Sequence, residues 1–230
     1  MALKLGLNLD RVVLLGRTLE EYQRFFGLDL DAWRGKAILD VAAGVSSFTA
    51  EGRRRGFNIT ALDRIYSASA EEIRRRCERD LAEVASEIGD KAVYNWDFYR
   101  NAEGMRQYRA RAYRTFLRDF IETPSHYVAH ELPPTPFSDA QFDLTLLSYL
   151  LFVYEDQLSY EFHVETLREL LRITSKEIRI YPTVTFEAEP SETLRRIRNE
   201  SEFARLKFEF VPTDFEFLRN SNCYLRITRR

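Results

Sequence analysis

Residues 36–41 (KAILDV) make a short apolar run that stops at Ala42-Ala43-Gly44, and residues 58–63 (NITALD) make a second, with a helix-forming stretch closed by Gly56 between them. Apolar runs of this length without alternation are strands buried on both faces, the signature of a parallel sheet. Parallel neighbours need a crossover, and a helix over residues 48–55, with Ser46 or Ser47 able to cap it, supplies one within about 30 residues. A parallel α/β core is the consequence.

Three more runs continue the pattern: residues 126–129, 142–148 (FDLTLLS) and 177–181 (EIRIY) read as third, fourth and fifth strands. The amphipathic stretch 161–173, with Phe162, Val164, Leu167, Leu170 and Leu171, is the helix before the fifth strand. After a helical 192–203, residues 206–211 and 223–227 are strand-like with no helix between them, which predicts an antiparallel pair at one sheet edge. The reading is a Rossmann-like α/β fold: a seven-stranded, mostly parallel sheet with an antiparallel C-terminal strand pair and helices on both faces. Two segments stand outside the alternation. Residues 1–35 read as an N-terminal helical segment, because Val12, Val13, Leu19, Tyr22, Phe25 and Phe26 recur at helical spacing and Thr18 precedes Glu20 and Glu21 as a cap. Residues 68–123 are too long for a plain loop and carry Ile73, Cys77, Leu81, Tyr113, Phe116 and Leu117 at helical spacing, so they read as a helical insertion, or lid, after the second strand. A length of 230 residues suits one domain with such an addition.

Charge narrows the partners. A net charge of -2 gives no surplus of cations to neutralise a phosphate backbone, and the basic runs at 53–55 and 74–76 sit beside carboxylates on helical faces. No nucleic-acid partner is expected. The two cysteines, Cys77 and Cys223, form no metal-ligand or disulfide pattern, no apolar run reaches the roughly 18 residues of a membrane span, and residues 1–10 lack a signal-peptide pattern. The expectation is a cytoplasmic protein with no metal and no membrane anchor.

Chemistry concentrates at the strand ends. Asp40-Val41-Ala42-Ala43-Gly44-Val45-Ser46-Ser47 puts a carboxylate and small residues where a strand turns into a helix, so a ligand can approach free backbone N–H groups. No Gly-Lys-Ser/Thr follows and only one glycine is present, so this is neither a P-loop nor G-x-G-x-x-G. Asp63 ends the second strand about 20 residues on, where a carboxylate can accept from both hydroxyls of a ribose; its alternative reading is a helix cap. His130, at the end of the third strand, is a candidate base, and His163 at a helix start reads as structural. The aromatics Tyr94, Trp96, Phe98, Tyr99 and Tyr108 of the insertion either line a pocket or pack.

Taken in order, ILDVAAG, NITALD, YVAHELPPTPFSDAQFDLTLLSYLLF and LRELLRITSKEIRIYP resemble the class I S-adenosylmethionine-dependent methyltransferases over residues 36–182. That family's first loop follows Asp/Glu-x-Gly-x-Gly-x-Gly; here Asp40 and Gly44 keep their places while Ala42 and Ser46 replace the flanking glycines. The resemblance implies that Asp40, Ala42, Ala43 and Gly44 surround the methionine part of S-adenosylmethionine, that Asp63 takes the ribose, and that Arg64 or Ile65 lies beside the adenine with Glu131 and Leu132. It further implies that Asp143 opens the fourth strand, and that Ser148 and Tyr149 end it facing cofactor and substrate. An Arg-Thr-Leu-Glu-Glu-Tyr segment ahead of the first strand, here residues 17–22, is similar to one in bacterial methyltransferase-like proteins of undefined substrate, and places Tyr22 where it could close over the cofactor.

Methyl transfer is an in-line displacement that depends on alignment and exclusion of water, so no universal catalytic residue is required. His130 and Tyr149 are the catalytic candidates. Ser148-Tyr149-Leu150-Leu151 stands where related enzymes carry Asn/Asp-Pro-Pro-Tyr/Phe to hold a planar amide or amino nitrogen, which argues against adenine-N6 and glutamine methylation and for an oxygen, carbon or other nitrogen of a small-molecule substrate. Two alternatives stand beside this: a non-catalytic binding protein of the same fold, and a nicotinamide-dependent oxidoreductase, which the missing glycines and the antiparallel closing pair oppose.

Overall fold

The computed structural model describes residues 11–89 and 91–230. Leu9 and the other residues of 1–10 assigned above to the N-terminal helical segment, and the reading of the chain's start, lie outside the described residues. Seven strands form one sheet in the order β3-β2-β1-β4-β5-β7-β6: β1 Ala37–Val41, β2 Asn58–Leu62, β3 Tyr127–Val128, β4 Phe142–Ser148, β5 Thr174–Tyr181, β6 Leu206–Pro212 and β7 Cys223–Arg229. The first five are parallel, and β7 lies antiparallel between β5 and β6. This is the Rossmann-like architecture expected from the sequence. β1 pairs with β2 on one side and with β4 on the other, so the chain reverses its direction of travel across the sheet there.

Strand alternation divides the core. Ile38, Leu144 and Leu146 face α1 (Leu19–Phe25) and α2 (Phe48–Arg54), with Tyr22, Phe25 and Phe48 packed over them. Leu39, Val41, Leu147 and Ile180 face α5 (Tyr160–Ile173) and α6 (Glu192–Arg198) on the opposite side. The insertion is two helices, α3 Ala70–Ile88 and α4 Ala102–Glu122. Ser69 and Glu72 form a capping box on α3, and Asn101 caps α4 by accepting from the Gly104 N–H.

Several boundaries differ from the sequence reading. α1 begins only at Leu19, because the Thr18 hydroxyl accepts from the Glu21 N–H and Glu21 reaches back to the Thr18 N–H. Residues 11–17 therefore run as an irregular strap, and Val12 and Val13 are not helical. Ser47 stands at the start of α2 without capping it; its hydroxyl donates to Glu51 instead. β3 is two residues rather than four, since residues 124–126 form a 3-10 turn and only Tyr127 and Val128 find partners on β2. The helix expected over 192–203 stops at Arg198, followed by a separate 3-10 turn, Ser201–Phe203.

Candidate functional site

The loop after β1 leaves through two left-handed residues, Ala42 at φ 51° and Gly44 at φ 53°. Gly44 is open enough that a Cβ would meet only Leu14 at 3.8 Å and Asp63 at 4.0 Å, so its missing side chain leaves space between them. Asp63 ties this loop to the one after β2: one carboxylate oxygen accepts from the Gly44 N–H at 2.9 Å and the other from the Ile65 N–H at 2.9 Å. The Tyr66 hydroxyl closes the tie by donating to the Gly44 carbonyl at 2.8 Å. Asp63 thus caps the turn after β2, and each of its oxygens keeps a lone pair for a further donor. Burial raises its carboxyl above the usual range, against the pull of the two N–H groups.

Asp40 is elsewhere. Alternation along β1 turns it to the α1 face, where it is fully buried, and the Tyr22 hydroxyl reaches its two oxygens at 2.9 and 3.1 Å. The same phenol lies 3.0 Å from Ser148 Oγ and donates weakly toward Ser46 Oγ at 3.4 Å, so one buried hydroxyl joins the ends of β1 and β4. Burial drives the Asp40 carboxyl well above the usual range; the Tyr22 hydrogen bond offsets this only in part, and the Asp63 charge reinforces it. Tyr22 stacks on Phe48 at 4.4 Å and is itself fully buried.

A cleft of about 400 Å³, within the ordinary range for small ligands, opens over these strand ends. Ala42, Ala43 and Gly44 border it, as do Asp63, Arg64 and Ile65 after β2. His130, Glu131 and Leu132 after β3, and Ser148 and Tyr149 after β4, complete that side. Asp40 and Tyr22 do not border it; both are fully buried beneath the floor. Asp143, at the opposite end of β4, accepts from the Ala37 N–H and Lys176 and is remote from the cleft. His130 directs Nδ1 to the Glu131 carbonyl at 2.9 Å, and Glu131 pairs with Arg64 at 2.8 Å on the exposed rim. His163 is fully buried, its two ring nitrogens 2.8 and 2.9 Å from the Ser159 and Leu151 carbonyls, a structural position.

The sequence reading missed the strap. Residues 11–15 and Arg17 border the cleft. Asp80 of α3, fully buried, accepts from the Leu14 N–H at 2.8 Å and from Arg11 at 3.0 Å; Arg76 donates to the Val12 carbonyl and the Val13 N–H to the Tyr154 hydroxyl. Arg17 is buried with its guanidinium 3.9 Å from the centre of the Tyr149 ring. Tyr149 itself is left-handed at φ 52° and fixed by a bond from its N–H to the Tyr181 carbonyl at 2.7 Å. The insertion contributes Val84, Ile88, Met105 and Arg109 to the cleft. Of its aromatics Tyr94 borders the cleft, while Trp96, Phe98, Tyr99 and Tyr108 pack against one another and against Phe215 and Phe217. Arg17 lies in the quoted segment 17–22, the one local signal for the strap.

No family model matches the chain. An uncharacterized protein of Methanocaldococcus jannaschii is 40% identical over 225 residues, spanning 97% of this chain and 99% of its own length. Among solved structures, an S-adenosylmethionine-dependent methyltransferase from Aquifex aeolicus aligns over 92% of this chain and 95% of its own, at 13% identity and a TM-score of 0.41. The magnesium protoporphyrin IX methyltransferase of Synechocystis PCC 6803, with bound S-adenosylmethionine, aligns over 87% of this chain and 73% of its own, at 11% identity and a TM-score of 0.43.

Proposed function

This chain belongs to the family of the Methanocaldococcus jannaschii protein, and we propose that it binds S-adenosylmethionine and transfers the methyl group to a small-molecule acceptor. The observation that carries the reading is Asp63: a half-buried carboxylate at the end of β2, held by the Gly44 and Ile65 N–H groups with a lone pair left on each oxygen. A ribose diol matches that acceptor pair, and the crevice beside β1, where the strand order reverses, is where such folds bind nucleosides. Ala42, Ala43 and Gly44 hold the amino-acid end; Ile65, Arg64, Glu131 and Leu132 border the adenine. When bound, the cofactor supplies an electrophilic methyl group on a sulfonium.

The chain's own part is alignment. Tyr22 and Asp40 brace the loop after β1 and the end of β4 from below, so Ser148 and Tyr149 stand at a fixed place on the acceptor side. The strap and the insertion cover the cleft and exclude water, and proximity of this kind is worth about 7–11 kcal/mol when geometry is right. Cytoplasmic residence and a small-molecule partner belong to the same proposal; in the structure, no helix among the described residues is long and apolar enough to cross a membrane.

Calorimetric titration of the folded chain with S-adenosylhomocysteine and with NAD tests the reading. S-adenosylhomocysteine is expected to bind and NAD not to, and Asp63→Ala to weaken the former about a hundredfold or more, from two hydrogen bonds to a charged acceptor. Absence of heat from both S-adenosylmethionine and S-adenosylhomocysteine, with the protein folded, would overturn it.

A further inference from the structure

Beyond the strand ends, the cleft changes character. Val84, Ile88 and Met105 of the insertion and Phe186, Phe217 and Leu218 of the loops after β5 and β6 make that wall apolar. Among the described residues, the charged side chains bordering this part are Arg11, Arg17, Arg76 and Arg109. Among the described residues, the carboxylates that pair with them, Glu21, Asp80 and Glu83, stand behind the wall, and Asp63 at the strand ends acts on Arg76. Arg17 and Arg109 share one, Glu21, which is fully buried. Arg11, Arg76 and Arg79 share two, Asp80 and Glu83. Arg11 Nη1 and Arg17 Nε, both buried atoms, have no hydrogen-bond partner among the described residues.

Two buried guanidinium groups sharing one carboxylate, beside unfilled N–H donors, favour a ligand that brings an anion, and guanidinium groups match planar carboxylates best. An apolar wall favours the rest of the ligand being hydrocarbon. We infer that the methyl acceptor is an apolar molecule carrying one anionic group, its body against the Val84, Met105 and Phe217 wall and its anion turned toward Arg17 and its neighbours. Amines and other cationic acceptors are rejected by the same field. The assignment rests on the cleft being a methyl-donor site, because an anion could also come from the amino-acid carboxylate of the donor.

A matched series separates the sources: 4-phenylbutyrate, 4-phenylbutanamide and 4-phenylbutylamine, titrated calorimetrically into the full chain with and without saturating S-adenosylhomocysteine. The acid is expected to bind about tenfold or more tightly than the amide in the saturated protein, with the amine silent, and the preference to fall about tenfold in Arg17→Met. Arg11→Met, on a partly exposed residue, is expected to weaken the acid in the same direction, and so guards against misfolding of the buried variant. Equal binding of acid, amide and amine overturns the inference, as does an acid with no measurable binding at millimolar concentration. An acid preference that vanishes on saturation assigns the arginines to the donor's carboxylate and also overturns it. If S-adenosylhomocysteine fails to bind while the acid preference persists, the methyl-donor reading falls and the anion site stands.

Discussion

Replacing Glu21 by Gln isolates the charge that holds the strap, the insertion and α1 together. The wild-type carboxylate is fully buried and accepts from Arg109 Nη1 at 2.5 Å, from the Thr18 N–H at 2.8 Å and from the Tyr99 hydroxyl, with Arg17 Nε at 3.9 Å. Glutamine keeps the size and can still complete the capping box, so the capping share, about 1 kcal/mol, is largely retained. What disappears is the counter-ion of two buried guanidinium groups. Removing one partner of a buried pair costs about 3–5 kcal/mol, and for a chain of this size each kcal/mol lowers Tm by about 2–4 °C. A fall of roughly 6–20 °C follows, read by circular dichroism at neutral pH.

Acidification gives a second reading of the same group. Burial alone would raise the Glu21 carboxyl, but Arg109, Arg17 and Tyr99 together hold it below the ordinary 4.5. A carboxylate depressed in the folded state contributes its full stability above the unfolded value and loses it as pH falls through the folded one. The difference between wild type and Glu21→Gln should therefore stay level from pH 8 to about 5 and shrink below about 4. The buried Asp40 shifts the other way, but it is present in both proteins and cancels in the difference. Pairing Glu21→Leu with Arg109→Met should recover part of the loss, since it removes the buried charge pair whole, although Arg17, the Thr18 N–H and the Tyr99 hydroxyl then lose this acceptor. A Glu21→Gln variant within about 1 kcal/mol of wild type, or a difference that does not shrink in acid, would refute the account of Glu21 as the shared counter-ion.

Two further outcomes follow from the backbone and the buried hub. Ala42 sits at φ 51°, a conformation that costs a residue with a Cβ about 1–2 kcal/mol, so Ala42→Gly should raise stability by about 0.5–1 kcal/mol after the added chain entropy, measured by urea denaturation. Tyr22→Phe removes the phenolic donor from Asp40 and should cost about 1–3 kcal/mol. Because that bond favours the charged form of a carboxyl already raised by burial, the deficit should grow as pH rises above the ordinary carboxylate range, and a deficit independent of pH would argue against the pairing.

How much of this was legible depended on how local the physics is. β4 matches its expected residues throughout because Phe142–Ser148 is an apolar run with loops at both ends. β5 extends three residues earlier than its apolar run, through Thr174-Ser175-Lys176, since register with Phe142 rather than side-chain pattern pairs them. The strap defeated periodicity: Val12, Val13, Leu14 and Leu15 are apolar for the sake of a cleft, and spacing alone cannot separate that from a helix face. The Thr18 to Glu21 capping box was the corrective signal, because a helix that starts after Thr18 excludes what precedes it. Asp40 faces away from the cleft for a related reason. Its position at the end of a strand was right, but strand alternation, not nearness to the loop, decides that it faces Tyr22. Arg109 could not be found at all, since its meeting with Glu21 spans 88 residues of chain.

The two left-handed non-glycine residues at the site explain why the cleft stays open. Ala42 and Tyr149 follow β1 and β4, which pair in register at Val41 and Leu147, so their loops leave from neighbouring points of the sheet. One chain turns toward β2 through α2 and the other toward β5 through α5, in opposite directions across the sheet. An ordinary conformation at either residue would redirect a loop where the two must part. For Tyr149 the strain is opposed by its bond to the Tyr181 carbonyl and by Arg17 against its ring, and Arg17 is in turn held by Glu21. The backbone that keeps the crevice open and the cations that face it therefore depend on the same buried carboxylate. A donor site set by strand order alone would keep its affinity after the loss of that carboxylate, whereas 4-phenylbutyrate, facing two arginines without their shared counter-ion, would change its affinity, and S-adenosylhomocysteine binding in Glu21→Gln compared with that of 4-phenylbutyrate distinguishes the two contributions.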